Sequence, residues 1–113
     1  MAYAVVTVVP SAARTTSGQA TGVIGGDTGD NLSLQLIVTA ASGTTPTLDV
    51  TVQWSMDGST WSPAETPDIF SQVTATTSKV KVFPVKAPNY RISYTIGGTT
   101  PSFTFTVLGY ETT

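Results

Sequence analysis

Period-two alternation constrains this chain more than any other feature. Leu32, Leu34, Leu36 and Val38 alternate with Ser33, Gln35, Ile37 and Thr39. The same pattern recurs with Leu48, Val50, Val52 and Trp54 against Asp49, Thr51, Gln53 and Ser55. It returns in Tyr90, Ile92, Tyr94 and Ile96, and again in Phe103, Phe105 and Val107. Successive strand side chains point to opposite faces, so each segment has one apolar and one polar face. The apolar members are mostly β-branched, aromatic or leucine, which suit a pleated, half-buried surface. No segment carries the 3.6-residue stripe of an amphipathic helix.

Weaker strands are predicted at Tyr3–Val9 and Lys79–Phe83, and short ones near Gln19–Ile24 and Ile69–Thr74. Asp57-Gly58 marks a tight turn between Trp54 and Trp61. Ala41–Pro46 and Gly97–Pro101 read as Gly/Thr/Pro loops, and Gly25–Asn31 as a polar turn. Seven or eight short strands with turns between them predict an all-β, antiparallel β-sandwich, jelly-roll-like or Ig-like. The 113 residues fit one domain, 1–113, with 1–10 as an N-terminal arm or edge strand. Leu34, Leu36, Val50, Val52, Trp54, Ile92, Tyr94, Phe103 and Phe105 are the expected core. The runs 43–52 and 98–107 echo one another. Either hairpin chemistry has converged, or two related hairpins hold similar places in the two sheets.

Composition removes several function classes. The chain has no His and no Cys, so the commonest general base, disulfides and thiolate metal sites are missing. Ser and Thr lack a base to activate them, and Ser78 and Lys79, as strand neighbours, point apart. Asp49, Asp57, Glu65 and Asp68 are the candidates for an acid–base pair, but they lie in or near turns. An enzyme is not expected, and neither is a cofactor. Asp27, Asp30 and Asn31 form the most metal-like cluster, yet the spacing of a calcium-binding EF-hand loop is absent, and an Asx turn is the plainer reading.

With five basic residues, no basic run and a net charge of −2, nucleic-acid binding is not expected. No apolar run approaches the roughly 18 residues of a membrane span. Met1–Pro10 lacks a positive n-region, so the chain is expected to act as it stands. Lys79, Lys81 and Lys86 could bind an anion. The plainer reading makes Lys79 and Lys81 the outward residues of an edge strand. Trp54 continues the inward alternation. Trp61, just past the turn, is either a lid on the core or an aromatic platform for sugar or protein.

Two runs carry a resemblance. The first is Thr39–Trp61, with Gly43-Thr44-Thr45-Pro46 and then Asp57-Gly58 before Trp61. The second is Tyr90-Arg91-Ile92 followed by Gly97-Gly98-Thr99-Thr100-Pro101 and Phe103-Thr104-Phe105. Together they resemble small β-sandwich structural proteins of tailed bacteriophages, similar to head decoration (capsid cement) proteins. The resemblance covers somewhat more than half the chain, and the part before about Thr28 carries little of it. It implies a virion protein on the capsid exterior that binds the major capsid protein, as a small homo-oligomer, and reinforces coat contacts. A tail or baseplate structural protein is the alternative. The Ser55–Trp61 run also resembles jelly-roll carbohydrate-binding modules, which keeps a glycan as a third, weaker partner. Partner contact is expected at Tyr3, Val6, Val8 and Trp61. The segment Met1–Val9 is apolar on both faces and so should be covered on both sides. Either a partner chain supplies one cover or the segment runs through the middle of its own sandwich. Under the first reading, removing Met1–Val9 leaves a folded domain that no longer assembles.

Overall fold

The computed structural model describes residues 5–24 and 30–112. Six strands follow in chain order: β1 (Val5–Arg14), β2 (Gly18–Val23), β3 (Asn31–Ser55), β4 (Ser62–Ile69), β5 (Thr77–Pro84) and β6 (Asn89–Thr112). No described residue is helical. All pairings are antiparallel, in one open six-stranded sheet of order β1-β6-β3-β4, with β2 also on β6 and β5 also on β3. The sequence predicts seven or eight strands, and the difference arises in the two Gly-Thr-Thr-Pro segments. Those segments, read as loops, pair with one another, so four expected strands join into the long β3 and β6.

Both long strands bend at these segments. Gly43 and Gly98 have φ of 110° and 112°, a region open to glycine. A side chain at Gly43 would put its Cβ 2.7 Å from the Thr100 carbonyl, and one at Gly98 the same distance from that of Thr45. Thr45 and Thr100 follow at φ 47° and 45°, costly for a β-branched residue. Each hydroxyl donates to the preceding carbonyl at 2.8 Å, which offsets part of that cost. The bend is sharp: Tyr94 and Phe105, eleven residues apart in β6, would lie roughly 36 Å apart on a straight strand. Their ring centroids are 5.1 Å apart. Phe70 and Phe83, beside opposite halves of β3, meet in the same way at 5.6 Å.

The two segments are related by a local two-fold. Thr44 pairs with Thr99, its own counterpart in the echoed sequence. Exchanging β1 with β4, β2 with β5 and β3 with β6 maps the list of strand pairings onto itself. β1 lines the second half of β6 as β4 lines the second half of β3, and β2 and β5 line the first halves. The molecule is thus two three-strand units, Val5–Ser55 and Ser62–Thr112, joined by the turn between them. The echoed runs thus occupy corresponding places in the two units and pair with one another instead of forming separate hairpins.

The core lies on the concave side of the bent sheet. Eight of the nine expected core residues are buried, and Tyr94 is half-buried at the margin, under the Arg14 guanidinium. Phe70 and Val73 add to the core from irregular segments where alternation is too brief to read, and Phe83 adds to it from β5.

Candidate functional site

No single constellation of polar side chains dominates the described surface. The turn after β3 is built by Asp57. Its Oδ1 accepts from the backbone N–H groups of Ser59 and Thr60, each at 2.8 Å, and from the Ser55 hydroxyl at 2.9 Å. Its Oδ2 accepts from the Thr60 hydroxyl. These donors, the Thr60 N–H first, hold the Asp57 carboxyl well below the usual carboxylate range. Gly58, at φ 76°, turns the chain toward β4.

Beside this turn an open groove of about 670 Å³ runs between Trp54, Met56, Pro63, Ala64 and Lys86. The register of β4 on β3 slips between Asp68 and Pro63, and the bulged residues form one wall. Asp68 sits within. Its Oδ2 accepts from Trp54 Nε1 at 2.9 Å and faces Lys86 Nζ at 2.8 Å. Lys86 also donates to the Pro84 carbonyl and lies 5.6 Å from the Trp54 ring centroid. The groove is thus apolar, with an internally matched ion pair at its side. It can accept an apolar side chain; an incoming anion would have to displace Asp68 from Lys86.

Of the other expected carboxylates, Glu65 lies exposed along the groove, and Asp49 is engaged. Both Asp49 oxygens accept from Gln72 Nε2, at 3.2 and 3.1 Å. Among the described residues no cluster of three or more acidic residues is placed to hold a metal. Asp30 is described, and Asp27 lies outside the described residues.

Trp61 is half-buried and does not line the groove. The Arg91 guanidinium stands 5.2 Å from its ring centroid, while Arg91 Nε donates to Gln53 Oε1 at 2.6 Å. One partner for the ring is therefore already in place within the chain.

Tyr3 lies outside the described residues. Val6 and Val8 are brought together, since both approach the Cβ position of Gly109, beside Leu34. They therefore lie toward the core side, with Val8 half-buried against the core and Val6 46% exposed. Register slips on either side of Val9 bury it as well. Val5 points to the opposite side, toward Tyr110, and is 64% exposed. Among the described residues β1 pairs with β6 alone, so it is an edge strand and not a strand running through the middle of the molecule. Trp61 stands just before β4, which pairs with the second half of β3, so it does not share a patch with Val6 and Val8.

One assignment is reversed. Lys79 and Lys81 share the core-side face of β5 with Phe83 rather than pointing outward. Lys81 Nζ donates to the Ile69 carbonyl at 2.6 Å, and Lys79 Nζ to that of Ser71 at 3.3 Å. Long aliphatic stems let both ammonium groups cap these carbonyls across the core margin. Val80 and Val82 are the outward residues, 64% and 56% exposed. Alternation alone could have revealed this, because Phe83 sets the parity of the strand. No protein-family model, no curated protein and no solved structure matches this chain.

Proposed function

We propose that this chain is a structural protein of a tailed bacteriophage, decorating the capsid exterior and reinforcing contacts between coat subunits. The observation that carries the reading is β1. It is an open edge strand with Val5 and Val6 exposed, and the chain continues beyond it to Tyr3. An unpaired edge with apolar side chains can accept a partner's strand or pack on its surface. The sequence resemblance supplies the partner, the major capsid protein. A ligand that binds only the assembled shell stabilises it by mass action, so modest contacts repeated over many sites suffice. Binding rather than catalysis fits a His-free chain whose Asp49, Asp57 and Asp68 carboxylates already have structural partners.

In this reading the bent sheet works as a sandwich of two four-stranded layers, β5-β3-β6-β1 and β4-β3-β6-β2. Counting the halves of the long strands separately, that makes eight strand segments. The Tyr94–Phe105 and Phe70–Phe83 contacts support it, since each joins residues of opposite layers.

The test removes the arm without touching the core. Val9 is buried, so the cut must stop before Val8. The protein lacking Met1–Thr7 should keep the β-type circular dichroism spectrum of the whole chain. Mixed with undecorated capsids, it should stay in the supernatant while the intact protein sediments with the shells. Full sedimentation of the trimmed protein sinks the arm. Binding of intact protein to tails or glycans, with none to capsids, sinks the decoration reading.

A further inference from the structure

The two-fold exchange of strands gives the molecule two corresponding outer faces, and they differ in chemistry. Behind Leu34 and Leu36, the outward residues run across four strands in antiparallel register. Val82, Ser33, Tyr110 and Val5 form one row; Val80, Gln35, Leu108 and Thr7 form the next. A third row holds Ser78, Ile37 and Thr106. None of these residues is charged. The corresponding face of the other half carries Asp49 and Arg91, with Gln53 and Gln72 bonded to them. The uncharged face alone carries three exposed valines, Val5, Val80 and Val82, and covering it would take that apolar surface out of water.

We propose that this uncharged face packs against the same face of a second copy of the chain, forming a two-fold dimer. The inference deepens the self-association part of the assembly reading and rests on it. A face without charge meets its own copy with no like charges opposed, whereas the Asp49–Arg91 face would oppose its own charges. Three strands eight residues long and the first three residues of β1, about 4.8 Å apart, make a patch of about 430 Å². Two such patches bury about 860 Å², the size of a weak, concentration-dependent interface. The face also carries both halves of a fit. A hollow of about 230 Å³ lies between Val5, Val80, Leu108 and Tyr110. Val82, exposed in the neighbouring row, is a knob on the same surface. Isologous packing lets each copy's Val82 enter the other's hollow, as two-fold symmetry requires. Edge-to-edge pairing through β5 is opposed by Lys79 and Lys81, whose core-side ammonium groups guard that edge.

Analytical ultracentrifugation of the full chain over a wide concentration range tests this. The wild type should pass from monomer to dimer, with little change on adding sodium chloride, since no charges meet. Val80→Lys and Val82→Lys should each remain monomeric where the wild type is dimeric, with unchanged circular dichroism. Ile69→Lys, exposed on the other outer face, should dimerise like the wild type. A wild type that stays monomeric at the highest concentration overturns the proposal. So does dimerisation of both lysine variants at wild-type strength, or its loss in Ile69→Lys. The dimer is read on the free chain without a shell, so a wild type that stays monomeric yet sediments with shells overturns this proposal alone, and one that dimerises but binds no shell overturns the decoration reading alone.

Discussion

Phe105 concentrates the packing of this molecule in one side chain. Its ring meets Tyr94 edge-on at 5.1 Å, and the Arg14 guanidinium lies 4.8 Å from its centroid. Arg14 is fixed in turn by the carbonyls of Pro10, at 2.6 Å, and of Phe105 itself, at 3.0 Å. Phe105→Ala removes the ring from a fully buried site and should cost about 3–5 kcal/mol, read from the midpoint of urea unfolding. An unchanged midpoint would show that the ring is not in the core. Tyr90 makes a second residue-scale prediction. Burial first, and the negative charge of Glu111 second, push its hydroxyl up to about 12. The unfolded chain then loses this proton at lower pH than the folded one. Stability from Tyr90 is therefore complete below about pH 10 and falls as pH rises toward 12, at most by about 1.4 kcal/mol per pH unit. Tyr90→Phe should flatten that part of the stability–pH curve relative to wild type, the lysines being common to both. An identical decline in the two proteins would place the titration elsewhere.

The paired Gly-Thr-Thr-Pro segments decide the fold at the element scale. A methyl at Gly43 or Gly98 meets backbone atoms, not flexible side-chain ends, and both glycines have positive φ. Gly43→Ala and Gly98→Ala should each lose well over about 1 kcal/mol, and by similar amounts because their surroundings correspond. Thermal unfolding of the two variants checks this. A large loss in one and none in the other would break the equivalence of the two units. Both segments were visible in the sequence, as was their likeness. Their pairing was not, because Gly, Thr and Pro in a row carry the same turn signal whether the chain reverses or bends within a ladder. The Asp57 turn was legible, since Asp-Gly between two strands has few other uses.

For the whole molecule, the sequence by itself determined the strand class, the apolar faces of β3 and β6 and the turn between Trp54 and Trp61. These follow from local periodicity and turn chemistry, which need no knowledge of distant residues. It also determined the absence of histidine and cysteine chemistry. Only the tertiary structure decided which strands neighbour one another. Antiparallel partners here lie up to 105 residues apart, as in Val5 with Tyr110, and nothing local encodes that choice. It placed β1 at an edge, where Val5 and Val6 are exposed while Val9 is buried, because register slips around Val9 break the alternation. It turned Lys79 and Lys81 inward and Val80 and Val82 outward. It also separated Trp61, an aromatic just past a turn, from Val6 and Val8 of the apolar N-terminal segment. The inequality of the two outer faces is likewise tertiary. Ser33, Gln35, Val80, Val82 and Leu108 are unremarkable in sequence, and they become one uncharged surface only when β5, β3 and β6 lie side by side.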